Sequence, residues 1–428
     1  MDIKVYGGQK LSGEIYPSGS KNAAVAIIPA TLLFDKPLTL SNIPDISDVS
    51  RLVKILQKLG SKIEWNKEKD ILHIDNSQIK PKDFDSEDLG NMKGTSLLWG
   101  PMLSHFGKVE FNDLPGGCTL GVRPLDAHFD AFKSLGVTVY EDHSSAKMDA
   151  MNAKAQYVWL TEMSVTATEN VIMLATGLDG TTTIYGAASE PHVQDLCNFL
   201  KICGADIQGV GSSVITIKGK EELTATDYTI VTDHYEITTF LAMAAATGGT
   251  IKIHNAIPEH FHQTNYIFSK FGVNVTYDGD TAIIDSKQNI EIESSRNGIL
   301  HVKAQPWPSL PVDSLPMFIP LALAAQKGQA LFHNWMFESG LFWTSELLKL
   351  NANILMADPH RVLVTAGRPL RGSILEAPYI IRAAVAMVIA AMIAEGETTI
   401  LNADALYRGH PHFKENLEKL GAKIEIIS

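Results

Sequence analysis

Apolar positions recur along the chain with a helical period that gives way to β-rich runs, and this order returns six times. In each copy an amphipathic segment ends at an apolar residue, one glycine or asparagine follows, and a β-rich run comes next, as in LQKLGSKIEW and FKSLGVTVYE. Glycine and asparagine readily adopt the left-handed conformation that closes a helix before a strand. We call these the pivot residues: Gly60, Gly136, Gly204, Gly272, Asn351 and Gly421.

A second helical segment precedes each amphipathic one, and it is apolar on nearly every side. NAAVAIIPATLLF and RAAVAMVIAAMIA are two of the six copies, each followed by a turn and a β-branched run. Because a helix without a polar face is buried, we expect these six helices inside the protein and the amphipathic ones nearer to solvent. Each repeat is therefore predicted to hold a strand, a buried helix, a strand, an amphipathic helix and a strand pair.

The repeat length favours closed domains. The pivot residues lie 68 to 79 residues apart, whereas solenoid repeats are usually shorter and their helices are not buried all round. Three such units make a domain of ordinary size. The sequence thus predicts an α/β fold of two domains with three units each.

Composition narrows the class of protein. The chain has 428 residues, 45% of them hydrophobic, and a formal net charge of −12. A globular protein fits these values, and a general nucleic-acid binder does not, because such proteins are basic. The polar start is unlike a signal peptide, and the longest apolar stretch, 383–394, is too short to span a bilayer. Three cysteines make no disulfide framework, so we expect a protein of the reducing cytoplasm. The short apolar stretch and the negative net charge add the expectation that it binds neither membrane nor nucleic acid.

Polar residues gather where the repeated helices are predicted to begin, and helix N-termini attract anions. Each of these residues taken alone is as well explained as a helix cap. Their recurrence at equivalent positions favours a shared anion site in a cleft between the domains. The buried helices are expected to begin near Lys21, Asn22, Lys93, Ser164, Glu236, Asp313 and Arg382, and several amphipathic ones near Arg123, Pro124, Glu190, Glu338 and Arg408.

Arginine usage sharpens this expectation. The chain has eight arginines, and Arg382 lies against the apolar run IIRAAVAMVIAA, where a cation is costly unless it is paired. Arg123 and Arg408 lie in the turn-like motifs GVRPLD and LYRGHP. Because arginine recognises carboxylate and phosphate with two parallel hydrogen bonds, a substrate carrying both groups is expected.

Two further residues carry candidate chemistry. Cys118 lies in the glycine-rich DLPGGCTLGVRP, where a nearby cation would favour its thiolate, whereas Cys197 and Cys203 lie in an apolar helix and are interpreted as packing residues. Asp313 lies between prolines before a buried helix; a helix cap is its simpler role, and a general base held in a stiff turn is the functional one.

No metal or nucleotide motif is present in the sequence. The pairs His260 with His262 and His410 with His412 lack the spacing of a zinc site, and there is no phosphate-binding glycine loop.

The motifs GSKNAA, LPGGCTLGVRPLDAH and RGHPHFKENLEKLGAKI resemble those of the enolpyruvyl transferase family, and the resemblance covers the whole chain. It implies a fold of two inside-out α/β domains, each of three βαβαββ units. Residues 20–230 would form the first domain, which carries the Cys118 loop, and residues 1–19 with 231–428 the second. The active site would lie in the cleft between them.

The resemblance also implies an activity. The enolpyruvyl group of phosphoenolpyruvate would pass to the 3-hydroxyl of a uridine nucleotide sugar, UDP-N-acetylglucosamine, through a tetrahedral ketal that releases phosphate. This reaction begins peptidoglycan synthesis; a sister branch of the family uses 3-phosphoshikimate. No metal or organic cofactor would be needed.

The same resemblance assigns residue roles. Cys118 would donate the proton and be the target of fosfomycin, Asp313 would take the proton of the acceptor hydroxyl, and Asp233 and Glu236 match a family motif at the domain crossover. Phosphoenolpyruvate would be held by Lys21, Asn22, Lys93, Arg123, Arg382 and Arg408. The acceptor would contact Asn22, Arg123, Pro124, Leu125, Asp126, Ser164, Val165, Thr166, Asp313 and Met336.

Five positions depart from the family pattern. Arginine is usual at Gly340 and Lys93, an acidic residue at Tyr379 and Tyr407, and glycine at Thr166. These departures leave two alternatives open: transfer to another uridine nucleotide in specialised metabolism, or a weakly active paralogue that binds a nucleotide sugar. The retained acid, base and cations count against the second.

Overall fold

Six small β-sheets organise the part of the chain that the computed structural model describes, residues 1–80, 93–111, 124–142, 145–220, 222–296 and 298–427. Five of these sheets have four strands and one has three. The chain divides into a first unit, Gly19–Gly117 with Arg123–Val231, and a second unit, Met1–Ser18 with Thr232–Ser428. The predicted cleft between two domains stays a prediction.

The elements of the described residues are numbered in chain order. The strands are β1 (Ile3–Tyr6), β2 (Ser12–Ile15), β3 (Leu38–Ser41), β4 (Lys62–Asn66), β5 (Ile71–Asp75), β6 (Lys108–Phe111), β7 (Thr138–Glu141), β8 (Ala146–Asp149), β9 (Tyr157–Trp159), β10 (Gly180–Tyr185), β11 (Asp206–Gln208), β12 (Val214–Gly219), β13 (Tyr228–Thr229), β14 (Thr250–Ile253), β15 (Thr276–Asp278), β16 (Thr281–Ile284), β17 (Leu300–Lys303), β18 (Gln329–His333), β19 (Ile354–Asp358), β20 (Arg361–Thr365), β21 (Ile374–Glu376), β22 (Glu397–Leu401) and β23 (Ile424–Ile426).

The α-helices of the same residues are α1 (Lys21–Ala30), α2 (Ser47–Leu59), α3 (Trp99–Phe106), α4 (Asp126–Ser134), α5 (Val165–Thr176), α6 (Pro191–Ile202), α7 (His234–Thr247), α8 (His262–Lys270), α9 (Leu315–Ala324), α10 (Ile381–Ile393) and α11 (Phe413–Lys419). Short 3-10 helices span Thr31–Leu33, Lys93–Leu98, Pro258–His260, Phe342–Leu350 and Ala403–Arg408. None of these helices is long and apolar enough to cross a membrane.

Each four-stranded sheet repeats one topology. In the sheet β11-β12-β10-β9, β9 and β10 are parallel, as a helical crossover requires, and the remaining pairs are antiparallel. The same arrangement gives β13-β3-β5-β4, β15-β16-β14-β2, β17-β18-β20-β19 and β21-β22-β1-β23, while the second repeat contributes β6-β8-β7. The predicted βαβαββ repeat is confirmed by this order.

Three strands close sheets far from their own place in the sequence. β1 lies between β22 and β23 in the sixth sheet, pairing antiparallel with both, and β2 pairs parallel with β14. β13 crosses back in the same way to pair parallel with β3. The N-terminal strands therefore complete the second unit, and the strand after the third repeat completes the first unit.

The apolar helices form the two cores, as the sequence predicts. In the second unit α7, α9 and α10 pack against one another, and every residue of α10 from Ala383 to Met392 is at most 1% exposed. The amphipathic α2 instead buries Leu52 and Leu56 while exposing Lys54 and Lys58. The small sheets thus cover helices, which is the inside-out arrangement.

All six pivot residues adopt the left-handed conformation, with φ values of 109°, 85°, 106°, 73°, 69° and 84° from Gly60 to Gly421. The prediction that they close the amphipathic segments is therefore confirmed.

Two predicted helix starts are wrong. No α-helix begins near Glu338, because the turn at Gly340 delays the helix until Phe342, where it is a 3-10 helix. Arg408 ends a 3-10 helix instead of beginning α11, which starts at Phe413. Pro411 accounts for the delay, because the residue before a proline disfavours helical backbone.

Alanine substitutions at two pivot glycines of the second unit allow the cost of backbone strain to be measured apart from the cost of crowding. A Cβ at Gly421 would meet nothing within 4 Å, whereas one at Gly272 would overlap the carbonyl oxygen of Asn289. We expect Gly421→Ala to cost about 1 kcal/mol from left-handed strain alone, and Gly272→Ala about 3 kcal/mol, because crowding adds to the strain. Urea unfolding monitored for both variants measures the difference, and equal losses would contradict the crowding argument.

Candidate active site

The buried cation predicted at Arg382 is paired on three sides. It is the second residue of α10 and only 8% exposed. Its Nε lies 3.6 Å from Asp313 Oδ2, its Nη1 lies 3.2 Å from His410 Nε2, and its Cζ lies 4.8 Å from the centre of the Tyr235 ring. These contacts offset the cost of burying a guanidinium, so the expectation that Arg382 is paired is confirmed.

Asp313 is not a helix cap, so its simpler interpretation is wrong. Ser314 occupies the N-cap position of α9, and no side chain caps that helix. The Asp313 side chain is 40% exposed and faces Arg382. Its carboxylate therefore lies between solvent and a fixed cation, where it can meet a ligand.

A buried acid lies on the other side of His410. Glu236 Oε1 is 3.8 Å from His410 Nδ1, and both residues are fully buried. The sequence places a helix start near Glu236, but Asp233 is the cap of α7, accepting from the amides of Tyr235 and Glu236 at 2.8 and 3.0 Å. Sequence reasoning missed His410, which it considered only as a possible metal ligand.

Arg408 lies on an aromatic ring. Its Cζ is 4.9 Å from the centre of the exposed Tyr379 ring. Tyr407 packs its half-buried side chain against the core, and burial raises its pKa, with Glu415 and Glu418 raising it further. Two of the positions that depart from the family pattern are thus close to Arg408: Tyr407 precedes it in the chain, and Tyr379 contacts its guanidinium directly.

Gly340 is enclosed by its neighbours. A Cβ there would overlap the side-chain nitrogen Nδ2 of Asn334. The same side chain accepts a hydrogen bond through Oδ1 from the Met336 backbone amide at 3.2 Å. The Gly340 carbonyl accepts from Trp343 Nε1 at 3.1 Å. The backbone here has no room for any larger residue while Asn334 keeps its place.

Lys21 in the first unit is held by an ion pair. It begins α1, directly after the cap residue Ser20, and its Nζ lies 2.7 Å from Asp48 Oδ2. Both side chains are mostly buried, and Asn22 follows on the same first turn. Asp48 was missed in the sequence, where its only signal is a carboxylate in the first turn of α2.

The proposed acceptor residues of the first unit lie at two helix starts. Pro124, Leu125 and Asp126 lead into α4, while Ser164 caps α5 by accepting from the Ala167 amide at 3.4 Å, with Val165 and Thr166 following. His128 Nε2 lies 2.9 Å from Thr166 Oγ1 and so brings the two starts together. His128 is the last residue of the motif LPGGCTLGVRPLDAH, but the sequence predicts no role for it.

Cys118, Arg123 and the side chain of Lys93 lie outside the described residues. Cys197 and Cys203 are buried, and burial raises the pKa of their thiols to about 12 and about 11. They are packing residues, as the sequence predicts. Among the residues with described positions, no group of three or more acidic, histidine or cysteine side chains forms a metal site.

A family model described as EPSP synthase (3-phosphoshikimate 1-carboxyvinyltransferase) matches residues 5–417. The chain belongs to this family of enolpyruvyl transferases. The family resemblance seen in the sequence is therefore confirmed, and the chain is an enzyme of the transferase class.

Relatives match over almost their full lengths. The protein from Bradyrhizobium diazoefficiens is 39% identical over 424 residues, covering 99% of this chain and 97% of that one. Proteins from Borrelia garinii subsp. bavariensis and Bacteroides thetaiotaomicron are each 38% identical, over 424 and 438 residues, with 99% of this chain and 98% and 99% of theirs covered. All three are named UDP-N-acetylglucosamine 1-carboxyvinyltransferase.

Solved structures share the fold. The enolpyruvyl transferase NikO from Streptomyces tendae aligns with a TM-score of 0.86 at 21% identity, covering 99% of this chain and 98% of that one. EPSP synthase from Acinetobacter baumannii aligns with a TM-score of 0.76 at 16% identity over the whole of both chains. The predicted fold class is confirmed.

A double-mutant cycle tests the enclosure of Gly340. We expect Gly340→Ala to destabilise the protein by about 1 to 3 kcal/mol, because the new methyl group overlaps the Asn334 side chain. In an Asn334→Ala background the same change should cost less, since the obstructing amide is gone. Urea unfolding of the four proteins gives the coupling energy, and equal costs in both backgrounds would contradict this account.

Proposed function

We propose that the protein transfers the enolpyruvyl group of phosphoenolpyruvate to the 3-hydroxyl of UDP-N-acetylglucosamine and releases phosphate. The observation that carries this proposal is the contact between Asp313, a half-exposed carboxylate, and Arg382, a buried guanidinium at a helix start. A base and an anion-binding group side by side suit an anionic substrate attacked by a hydroxyl. The names of the full-length relatives support the choice of acceptor.

The reaction needs one proton donor, one base and fixed positive charge. In the proposal Arg382 and Arg408 hold the carboxylate of phosphoenolpyruvate, while Lys21, Asn22, Lys93 and Arg123 hold its phosphate side. Cys118 protonates the methylene carbon, which makes the central carbon electrophilic. Asp313 takes the proton of the acceptor hydroxyl as its oxygen bonds to that carbon, and a tetrahedral ketal forms.

Phosphate leaves in the second half of the reaction. In the proposal the Cys118 thiolate takes a proton back from the methyl carbon, the carbon–carbon double bond reforms and the carbon–oxygen bond to phosphate breaks, while the proton held by Asp313 leaves with the phosphate. The product keeps the enolpyruvyl group on the acceptor oxygen. The residues present supply acid, base and charge, so the proposed steps use no metal or organic cofactor.

The acceptor is proposed to lie at the starts of α4 and α5. Two helix N-termini offer amide donors to a diphosphate, and Pro124, Leu125, Asp126, Ser164, Val165 and Thr166 lie there. Asn22 and Arg123 of the first unit and Asp313 and Met336 of the second complete the proposed set. With this acceptor the enzyme serves peptidoglycan synthesis in the cytoplasm.

A second candidate function is transfer to another uridine nucleotide. It is favoured by Thr166, whose hydroxyl contacts His128, and by Gly340, where no cation is present. Thr166 belongs to the residues proposed to contact the acceptor, Gly340 lacks the arginine usual in the family, and neither feature alters the Asp313–Arg382 contact. The acceptor, and not the enolpyruvyl donor, is therefore the point on which the two candidates differ.

Phosphate release from phosphoenolpyruvate distinguishes the candidates. The purified protein is assayed with UDP-N-acetylglucosamine, UMP and shikimate 3-phosphate in parallel. We expect release with the nucleotide sugar only. Release only with another acceptor would support the second candidate, and nucleotide binding without release would indicate a binding paralogue.

Removing the proposed base tests its role. We expect Asp313→Ala and Asp313→Asn to lower kcat by roughly a hundredfold or more, because general bases contribute that much, while the KM of the acceptor changes little. Asp358→Asn is the matched control, since Asp358 also pairs with an arginine in the second unit, Arg361, at 2.7 Å on an exposed surface. A raised acceptor KM with kcat intact would make Asp313 a ligand.

A further inference from the structure

Hydrogen-bond chemistry fixes the state of His410. Arginine has five N–H donors and no acceptor, so Arg382 Nη1 can only donate across the 3.2 Å contact to His410 Nε2. That nitrogen must therefore be unprotonated. The imidazole proton then lies on Nδ1, which faces Glu236 Oε1 at 3.8 Å. His410 is thus a neutral ring between a guanidinium and a carboxylate.

The Glu236 carboxylate, on the opposite side of His410 from Arg382, accepts two hydrogen bonds of its own. Glu236 Oε2 accepts from the Ser18 amide at 2.9 Å, and Oε1 accepts from Asn416 Nδ2 at 3.5 Å. Glu236 and His410 are fully buried, and Asn416 is 3% exposed. The imidazole is oriented by its 3.2 Å contact with Arg382, which its Nε2 faces, while Glu236 lies 3.8 Å from Nδ1 as a nearby negative charge and makes no hydrogen bond to it.

Arg382 is consequently held by unlike groups on its two sides. Asp313 contacts it from the solvent side, while the neutral imidazole contacts it from the buried side. The Tyr235 ring covers one face of the guanidinium. A guanidinium fixed in this way keeps its plane, and bidentate recognition of a carboxylate depends on that plane.

We propose that His410 is a positioning residue, whose neutral imidazole orients Arg382 for the carboxylate of phosphoenolpyruvate and releases it when protonated. This proposal rests on the proposed function. A proton on Nε2 would turn the acceptor into a donor and set one cation against another. Among the described residues, Glu236 on α7 and Arg382 on α10 face His410, Asp313 lies beyond the arginine, and Tyr407, Arg408 and His412 belong to its own segment.

A merely structural role would have different consequences. If His410 only filled space between α7 and α10, an apolar ring of similar size would leave the affinity for phosphoenolpyruvate unchanged at every pH. A positioning role instead acts on phosphoenolpyruvate affinity, and it does so in a manner that depends on pH. These two expectations can be measured separately.

Two variants separate the acceptor from the ring. His410→Gln keeps an acceptor for Arg382 and a donor for Glu236 but cannot take up a proton near neutral pH. His410→Phe keeps the ring and loses the acceptor. His254→Gln is the matched control, because His254 also contacts a glutamate in the second unit, Glu14 at 3.0 Å, on an exposed strand face.

The affinity for phosphoenolpyruvate is measured by calorimetric titration at about pH 6 and about pH 8, which bracket ordinary histidine protonation. At the higher pH we expect His410→Gln to bind within about threefold of the unchanged protein and His410→Phe about tenfold more weakly. At the lower pH the unchanged protein should lose affinity relative to His410→Gln. Protonation of phosphoenolpyruvate itself affects both proteins alike, so it cancels in the ratio of the affinity of the unchanged protein to that of His410→Gln. The control His254→Gln should match the unchanged protein at both pH values.

The KM of phosphoenolpyruvate should follow the binding constant, with a smaller effect on kcat. Equal acid losses in the unchanged protein and His410→Gln would overturn the proposal, and so would full affinity in His410→Phe. If His410→Phe fails to fold, the ratio with His410→Gln still decides. Phosphoenolpyruvate binding without phosphate release would refute the proposed function alone, and no binding in any protein would refute both.

Discussion

The constraint on which the rest of the structure depends is the full burial of the apolar helices. α7, α9 and α10 have no face for solvent, so no side chain in the middle of these helices can meet a substrate. Polar side chains can meet solvent or a substrate only at the ends of these helices, where amides also lack partners. The placement of Lys21, Ser164 and Arg382 at helix starts follows from this packing, and the candidate site is a set of helix ends.

Burial also determines how the cations are held. A guanidinium deep in an apolar unit is tolerated only with partners, and Arg382 has an acid, an imidazole and an aromatic ring around it. Lys21 uses one carboxylate for the same purpose, and Arg408 uses the Tyr379 ring. The three cations proposed to grip one substrate thus differ in the kinds of group that contact them.

Local chemistry explains what the sequence could predict. Glycine and asparagine at the pivots reveal left-handed residues, because few others adopt that conformation, and continuous apolar runs reveal buried helices. The need to pair Arg382 also follows from its neighbours in the chain. Its partners do not: His410 lies 28 residues away and Asp48 lies 27 residues from Lys21, and no periodicity connects them. The cap assigned to Asp313 failed for a related reason, since a tertiary contact with Arg382 replaced the local role.

The position of β1 in the sixth sheet has a consequence for synthesis on the ribosome. Its partners β22 and β23 are made last, so β1 must wait unpaired until nearly the whole chain has emerged. The first unit has no such delay, because β13 supplies its last strand by Thr229. Domains fold as units while synthesis proceeds. The first unit can therefore form early, and its nascent neighbour must keep its earliest strand accessible, and free of wrong partners, until the end.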